Sequence, residues 1–458
     1  MTPPLCTLAE GEDSGARMEA EHEDSEEDGE DGEESDEQAS SSTSQFQPRP
    51  EEYGAFIDSA DESPSELPPD GFNFPEGICV DSQGTIFVSD GGNHRIVTLD
   101  DGYVDGNFIT YAGGLGGDGW LDAHADDAMF NGPTGLTIDP KGHLIIADQE
   151  NHAIRKVDPK DGGVTTVAGC LEEGFADGPA ADAKFNCPTG VACDKLGNIF
   201  VVDGGNHRIR KVSVEGMVST FAGTGKKGFK DGAGAQAMFN HPGGIATDNE
   251  GNVYVADYGN HRIRVLSSNG VAKTLAGNGE KGYRDGAALS AMFSFPQDIA
   301  LCPKTGDIII ADYGNDNIRA VSKEGVVRTV AGTGEPELHD GLKDQASFNQ
   351  PRGVACDQDG NIFVADRGNH AVRKIDVNTG VTDTIKGDGE AYSTNDDEGG
   401  HVGGDGCEDE CCIPAPMLRK LDSKRAKTET DDGAQDDVVT KKTATQFGVL
   451  AEADDTWG

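Results

Sequence analysis

Between residues 71 and 387 the apolar residues fall in short runs, mostly β-branched, each closed by Gly, Asn or Asp. One unit shows the pattern in full. GVACD (190–194) and NIFVVD (198–203) are separated by the turn residues Lys195–Gly197, and RIRKV (208–212) and MVSTFAG (217–223) by another glycine turn. Runs of this length with such punctuation predict four short antiparallel strands. The unit recurs. A segment of the form DxGNHxIR begins at Asp90, Asp148, Asp203, Asp257, Asp312 and Asp366, at intervals of 58, 55, 54, 55 and 54 residues. A fixed period of this size marks stacked copies of one supersecondary unit. Six four-stranded units in a closed ring hide their edges from one another. The fold class expected is all-β, a six-bladed β-propeller over 71–387.

Charge sets the limits of this domain. Residues 1–70 hold 23 acidic residues against Arg17 and Arg49, and residues 388–458 hold 18 against 7 basic ones. Of the total −46, the centre carries −14, since −46 + 21 + 11 = −14. Segments so charged and so poor in apolar residues do not offset their ordering entropy. They are read as disordered acidic tails. Ser25 and Ser35 in the first tail sit among acids, as acidophilic-kinase sites do, and are phosphorylation candidates. No apolar run is long enough to span a membrane, and the first residues lack the pattern of a secretory signal. Cys79, Cys193 and Cys356 lie among small apolar residues and are expected as buried thiols, which suits a reducing compartment. The basic cluster Arg419–Lys427 leaves both cytoplasm and nucleus open. The tail stretch CEDECC is a weak metal signal.

The repeated pattern PxGIAxDxxGNIxVADxGNHRIRK resembles the NHL repeat, and all six units are read as matching it. Unit five departs, with FSFPQDIALC and Asn-Asp for Asn-His, so its turn and inner strand are expected to differ locally. The resemblance implies a propeller that holds proteins or nucleic acid on one face. It extends more distantly to gluconolactonase-like propellers, whose architecture is the same. Neither a RING-type Cys/His array nor a thioredoxin-type Cys-x-x-Cys module accompanies it here.

DxGNH itself reads as a turn. Glycine permits positive φ, and Asp and Asn bond to nearby backbone. The Arg that opens the next strand is expected to pair with acids. Metal ligation needs imidazoles within a few ångströms of one ion, and His94, His152, His207, His261 and His370 would instead form a wide ring. Specificity should sit where the repeats differ. One such set flanks the Pro that opens each inner strand: Phe74, Gly132, Cys187, His241, Phe295 and Gln350 before it, and Glu76, Thr134, Thr189, Gly243, Gln297 and Arg352 after it. These should line the mouth of a central channel. The second set lies in the long connector, G-x-x-x-G-aromatic-x-D-G-x-x-x-x-A-x-F. Its Asp (Asp122, Asp177, Asp231, Asp285, Asp340) is expected to cap a helical turn, with Ala and Phe packing inward. Two adjacent connectors are basic, with Lys226, Lys227 and Lys230 on one and Lys281 and Arg284 on the next.

Three functions follow. The first is a non-catalytic protein-interaction scaffold that needs no cofactor and takes an acidic or phosphorylated peptide. Its binding residues would be Lys226, Lys227, Lys230, Lys281, Arg284, Arg352, Phe74, His241, Phe295 and Gln297. The acidic tail is a candidate ligand in cis, and a monomer is expected. The second is a metal-dependent hydrolase with a divalent ion in the channel. Only Glu76 and Asp298 offer carboxylates there, fewer than an ion site asks for. The third is RNA binding, which the negative charge of the domain opposes.

Overall fold

The computed structural model describes residues 71–99, 108–114 and 117–389. They form six antiparallel sheets, each built from one repeat. Blade 1 consists of Pro75–Val80, Ile86–Asp90, Arg95–Leu99 and Phe108–Gly113, in that order from the inside outward. The inner strands of blades 2 to 6 are Pro133–Ile138, Pro188–Cys193, Ile245–Thr247, Pro296–Leu301 and Pro351–Cys356. Blades 3, 5 and 6 gain a two-residue fifth strand from the connector that precedes them, Gly178–Pro179 pairing with Met217–Val218 being one. The tails expected at either end, with Ser25, Ser35, the CEDECC stretch and the basic cluster, lie outside the described residues, and so does docking of a tail in cis.

The core is divided among the blade junctions. Each of six apolar clusters joins two neighbouring blades. The Ala and Phe that end each connector pack into them: Ala183 and Phe185, Ala237 and Phe239, and Ala291 and Phe293 are all fully buried. The junction of blades 6 and 1 is built like the rest, with Ala355, Phe363 and Val372 against Phe72, Ile78 and Val88. All four main strands of blade 6, ending at Val381–Lys386, come from its own repeat. Among the described residues the ring closes by packing, without an exchanged strand.

Two expectations are overturned. The connector Asp caps no helix: the turns Gly234–Gln236 and Ala288–Ser290 are preceded by Ala233 and Ala287 and have no side-chain cap. At its DxGN turn blade 5 is also not different in backbone. Its turn Tyr313–Asn315 is the same 3₁₀ turn as Tyr258–Asn260, and Asp316 takes φ 52° just as His261 does. What departs there is chemistry.

Candidate binding face at the channel mouth

The Asp that opens each DxGN turn is fully buried, and in five blades the second basic position of the third strand satisfies it. Arg155, Arg210, Arg264, Arg319 and Arg373 each reach that Asp with one Nη and the connector Asp with the other, at 2.6–2.8 Å. These guanidiniums have no exposed surface. A buried charge is tolerated when it is paired, and both carboxylates supply that, although the Nε of Arg155, Arg264 and Arg373 has no hydrogen-bond partner. The connector Asp also accepts from the fourth strand, as Asp122 does from the amide and hydroxyl of Thr166 at 2.9 and 3.0 Å. Its work is to tie connector to blade, which corrects the capping role. Blade 1 has Val97 at this position, and Arg95 takes over, its Nε 2.7 Å from Asp90.

In blades 3 and 4 the first Arg of the strand behaves otherwise than expected, whereas Arg95 of blade 1 does pair with an acid. Arg208 and Arg262 bond to backbone carbonyls of Thr224 and Asn278, and each lies 3.8 Å over a connector ring, Phe175 and Phe229.

The histidines form a wide ring, each joined to the next blade. Nδ1 of His94, His152, His207, His261 and His370 accepts the backbone N–H of Gly132, Cys187, His241, Phe295 and Phe74 at 3.1–3.2 Å. Asp316 does the same for Gln350 at 2.7 Å. An imidazole can accept at Nδ1 only when that nitrogen is unprotonated. Burial holds all five histidines below the ordinary range, and His207 and His370 are pushed down to about 4. Residues on both sides of the bond have positive φ, 49–52° at the acceptor and 45–57° before the Pro. A non-glycine residue there is strained, and the bond holds it.

Inside this ring the post-proline residues line a cavity of about 300 Å³ along the inner strands, as expected. Glu76 at its mouth is held by two guanidiniums, Arg367 Nε at 2.9 Å and Arg352. Gln297 is 3% exposed, and its Oε1 has no hydrogen-bond partner. Asp298 projects where the other five blades have glycine, and a Cβ on Gly244 would lie 1.9 Å from its Oδ1. Its Oδ2 accepts the N–H of Val354 at 3.0 Å, and burial pushes the carboxyl up to about 7. Among the described residues no three His, Cys, Asp or Glu side chains stand close enough to share a metal ion.

The residue after the turn Asp completes the rim, and sequence reasoning passed over it. It is Gly91, Gln149 and Gly204 on blades 1 to 3, but Tyr258, Tyr313 and Arg367 on blades 4 to 6. Tyr258 packs against Phe295 and Tyr313, with ring centroids 4.9 and 6.3 Å away. Arg367 lies 4.6 Å over Phe74, and Lys281 4.6 Å over Phe295. The basic connectors are thereby sorted. Lys281 stands at the mouth, and Lys227 is near enough to His207 to lower its pKa. Lys230 and Arg284 sit outward, where their carbonyls receive Arg264 and Arg319. Lys226 is exposed on the connector. His241 is turned against His207, centroid to centroid 4.3 Å.

The family model of the NHL repeat matches residues 72–99, 130–157, 185–212, 239–266 and 348–375. The chain is an NHL-repeat protein. The matched residues skip blade 5, so the expectation of six matching units is corrected: blade 5 keeps the NHL backbone with Asp298, Cys302 and Asp316 in place of the usual residues. The chain is 31% identical over 333 residues to Protein SUPPRESSOR OF QUENCHING 1, chloroplastic, of Arabidopsis thaliana, covering 68% of this chain and 31% of that protein. It is 31% identical over 358 residues to NHL repeat-containing protein 2 of Gallus gallus, covering 69% and 48%. This NHL chain therefore spans between about a third and a half of the length of these relatives. Among solved structures, an auxiliary nutrient binding protein from Bacteroides thetaiotaomicron superposes with a TM-score of 0.50 at 15% identity, over 69% of this chain and 70% of its own. At that identity the likeness concerns the fold.

Proposed function

We propose that this NHL propeller is a non-catalytic binding module whose upper mouth takes an acidic or phosphorylated peptide. The observation that carries the reading is the one-sided rim, where Tyr258, Tyr313 and Arg367 stand on three consecutive blades opposite Gly91 and Gly204. Arg352 and Arg367 share one carboxylate, Glu76, which leaves the group a net positive charge beside two phenols. Lys227 and Lys281 add to it from the connectors. Aromatic faces with cations above them suit a peptide whose anionic groups meet the cations while its apolar parts cover the rings. The orphan Oε1 of Gln297 supplies an acceptor for a backbone or side-chain N–H of the ligand. The hydrolase reading finds less support, because Glu76 is engaged by two arginines and Asp298 by a backbone amide.

The test is fluorescence anisotropy with an Asp/Glu-rich phosphoserine peptide and its unphosphorylated and basic counterparts. Lys227→Glu with Lys281→Glu should weaken binding of the acidic peptides about tenfold or more, and salt should weaken it further. Lys230→Glu with Arg284→Glu should change it little, since Arg284 Nη1 is turned to the Ser290 carbonyl of its own connector and Lys230 is exposed on the preceding one. Equal affinity for the basic peptide, or equal loss from both charge reversals, would overturn the reading.

A further inference from the structure

At the lower end of each blade the inner strand runs into a turn built around an anionic acceptor. In blades 1 to 4 this is Asp81, Asp139, Asp194 or Asp248, whose Oδ1 receives the N–H groups two and four residues on at 2.7–2.9 Å. In blade 6 Asp357 receives Asn361 at 2.8 Å. Blade 5 alone has a cysteine there, Cys302, in a turn one residue longer. Its sulfur takes the place of the carboxylate: the backbone N–H groups of Lys304 and Thr305 and the Thr305 hydroxyl all donate to it. A fourth donor arrives from the neighbouring blade, the S–H of Cys356. The two thiols share the apolar cluster between blades 5 and 6. Lys304 Nζ donates to the Asp359 carbonyl at 2.8 Å and braces the two turns together.

We propose that Cys302 and Cys356 form a peroxide-reactive dithiol at the lower end of the channel, closing to a disulfide between blades 5 and 6. A cradle of donors that holds a carboxylate in five blades stabilises a thiolate in the sixth, and the thiolate is the nucleophile. In keeping with this, the Cys302 thiol is pulled down to about 5 by Cys356 and the turn donors. Cys356 is raised by the same bond. Cys193, which occupies the position of Cys356 in blade 3, and Cys79, one position earlier in blade 1, lie in blades whose turn acceptor is an Asp rather than a thiol. Burial raises both, Cys193 to about 12. Cys302 is 3% exposed, and Cys356 lines the channel cavity of about 300 Å³, so the approach admits a small oxidant only.

The reaction balances with hydrogen peroxide. The Cys302 thiolate attacks one oxygen, the O–O bond breaks, and the departing hydroxide takes a proton to become water, leaving a sulfenic acid. The sulfur of Cys356 then attacks Cys302 Sγ and loses its proton, and the S–O bond breaks to release a second water. Two thiols are oxidised to one disulfide and one peroxide is reduced to two waters.

The full chain, reduced and then treated with hydrogen peroxide or glutathione disulfide, is quenched by alkylation and mapped by mass spectrometry. The Cys302–Cys356 linkage should form at least about tenfold faster than oxidation of Cys79 or Cys193, and glutathione disulfide should not produce it. Cys302→Asp restores the residue of the other blades, so it should fold normally and give no linkage. Cys356→Ser keeps a hydroxyl donor to Cys302 Sγ but cannot form the disulfide, so it should leave a Cys302 sulfenic acid that dimedone labels. Oxidation of Cys79 or Cys193 before any linkage would overturn the proposal, as would a Cys356→Ser protein whose Cys302 stays unlabelled.

Discussion

Nδ1 of His370 accepts the backbone N–H of Phe74 at 3.1 Å, across 296 residues of sequence. The bond fastens the last blade to the first at the rim, beside the ion pairs of Arg352 and Arg367 with Glu76. The same bond recurs at four of the five other junctions, with the Asp316 carboxylate as the acceptor at the fifth, so closure repeats the chemistry of the other histidine seams.

Acid should therefore loosen this seam. Burial, with the Arg367 guanidinium close by, holds His370 down to about 4, against 6.5 for a free imidazole. A depressed pKa means that the unfolded chain binds the proton more readily. The contribution of His370 is present above pH 6.5 and is lost as pH falls toward 4, by about 3 kcal/mol at most. Replacing His370 by Ala leaves the Phe74 N–H unsatisfied, a cost of about 1–3 kcal/mol at pH 7.5. Urea denaturation of wild type and His370→Ala should show that gap shrinking between pH 7.5 and 4.5. A gap that is constant or widens would show that the bond does not depend on the neutral ring.

The buried Arg–Asp pairs predict strong coupling. Arg264→Met strands Asp257, which is wholly buried, and should cost about 3–5 kcal/mol. Asp257→Asn leaves the buried guanidinium with one carboxylate, Asp231, in place of two. With both replaced, the loss should fall short of the sum by more than about 1 kcal/mol, since neither charge is left alone. Denaturation midpoints of the four proteins complete the cycle. Additive losses would mean that the contact between the two side chains contributes little.

The role of these arginines was present in the repeat and was not read. Arg208 and Arg210 lie two apart on one strand and share a face, and the pairing with acids was expected of the first. Yet the first position varies, being Arg95, Ala153, Arg208, Arg262, Asn317 and Ala371, whereas the second is Arg in five blades of six. A charge that persists while its neighbour changes belongs to the scaffold. The converse held at the mouth. DxGN was read whole as a turn, although its x runs through Gly, Gln, Tyr and Arg, and that variation marks the rim residues Tyr258, Tyr313 and Arg367. The strands, the period and the face were legible because Gly, Asp and Asn punctuate them every few residues. The partners of Glu76 were not, because Arg367 stands 291 residues away and meets it only once the ring is closed.

The inner strands approach so closely at the post-proline glycines that a methyl group is excluded. A Cβ on Gly135 would stand 2.5 Å from the Thr189 carbonyl oxygen and 2.8 Å from the Gly190 Cα. Both obstacles are backbone, so relief requires the two blades to part. Gly135→Ala should cost about 1–3 kcal/mol and lower the thermal midpoint. An unchanged midpoint would mean that the ring can widen at little cost.

Asp298 stands in the corresponding position of blade 5, and its effect on stability should run opposite to that of His370. Its carboxyl is raised to about 7 by burial, from 3.8 for a free aspartate. A raised acid favours its protonated form in the folded chain. The associated stability is fully present below pH 3.8 and is lost as pH rises through about 7, by up to about 4 kcal/mol. Asn at this position keeps an acceptor for the Val354 N–H and cannot ionise. The stability of Asp298→Asn relative to wild type should therefore increase from pH 4 to pH 8, measured by urea denaturation at each. If the advantage does not grow, a cation or a donor group in the channel must compensate the charge, and isothermal titration of the channel with small amines would then identify its chemical class.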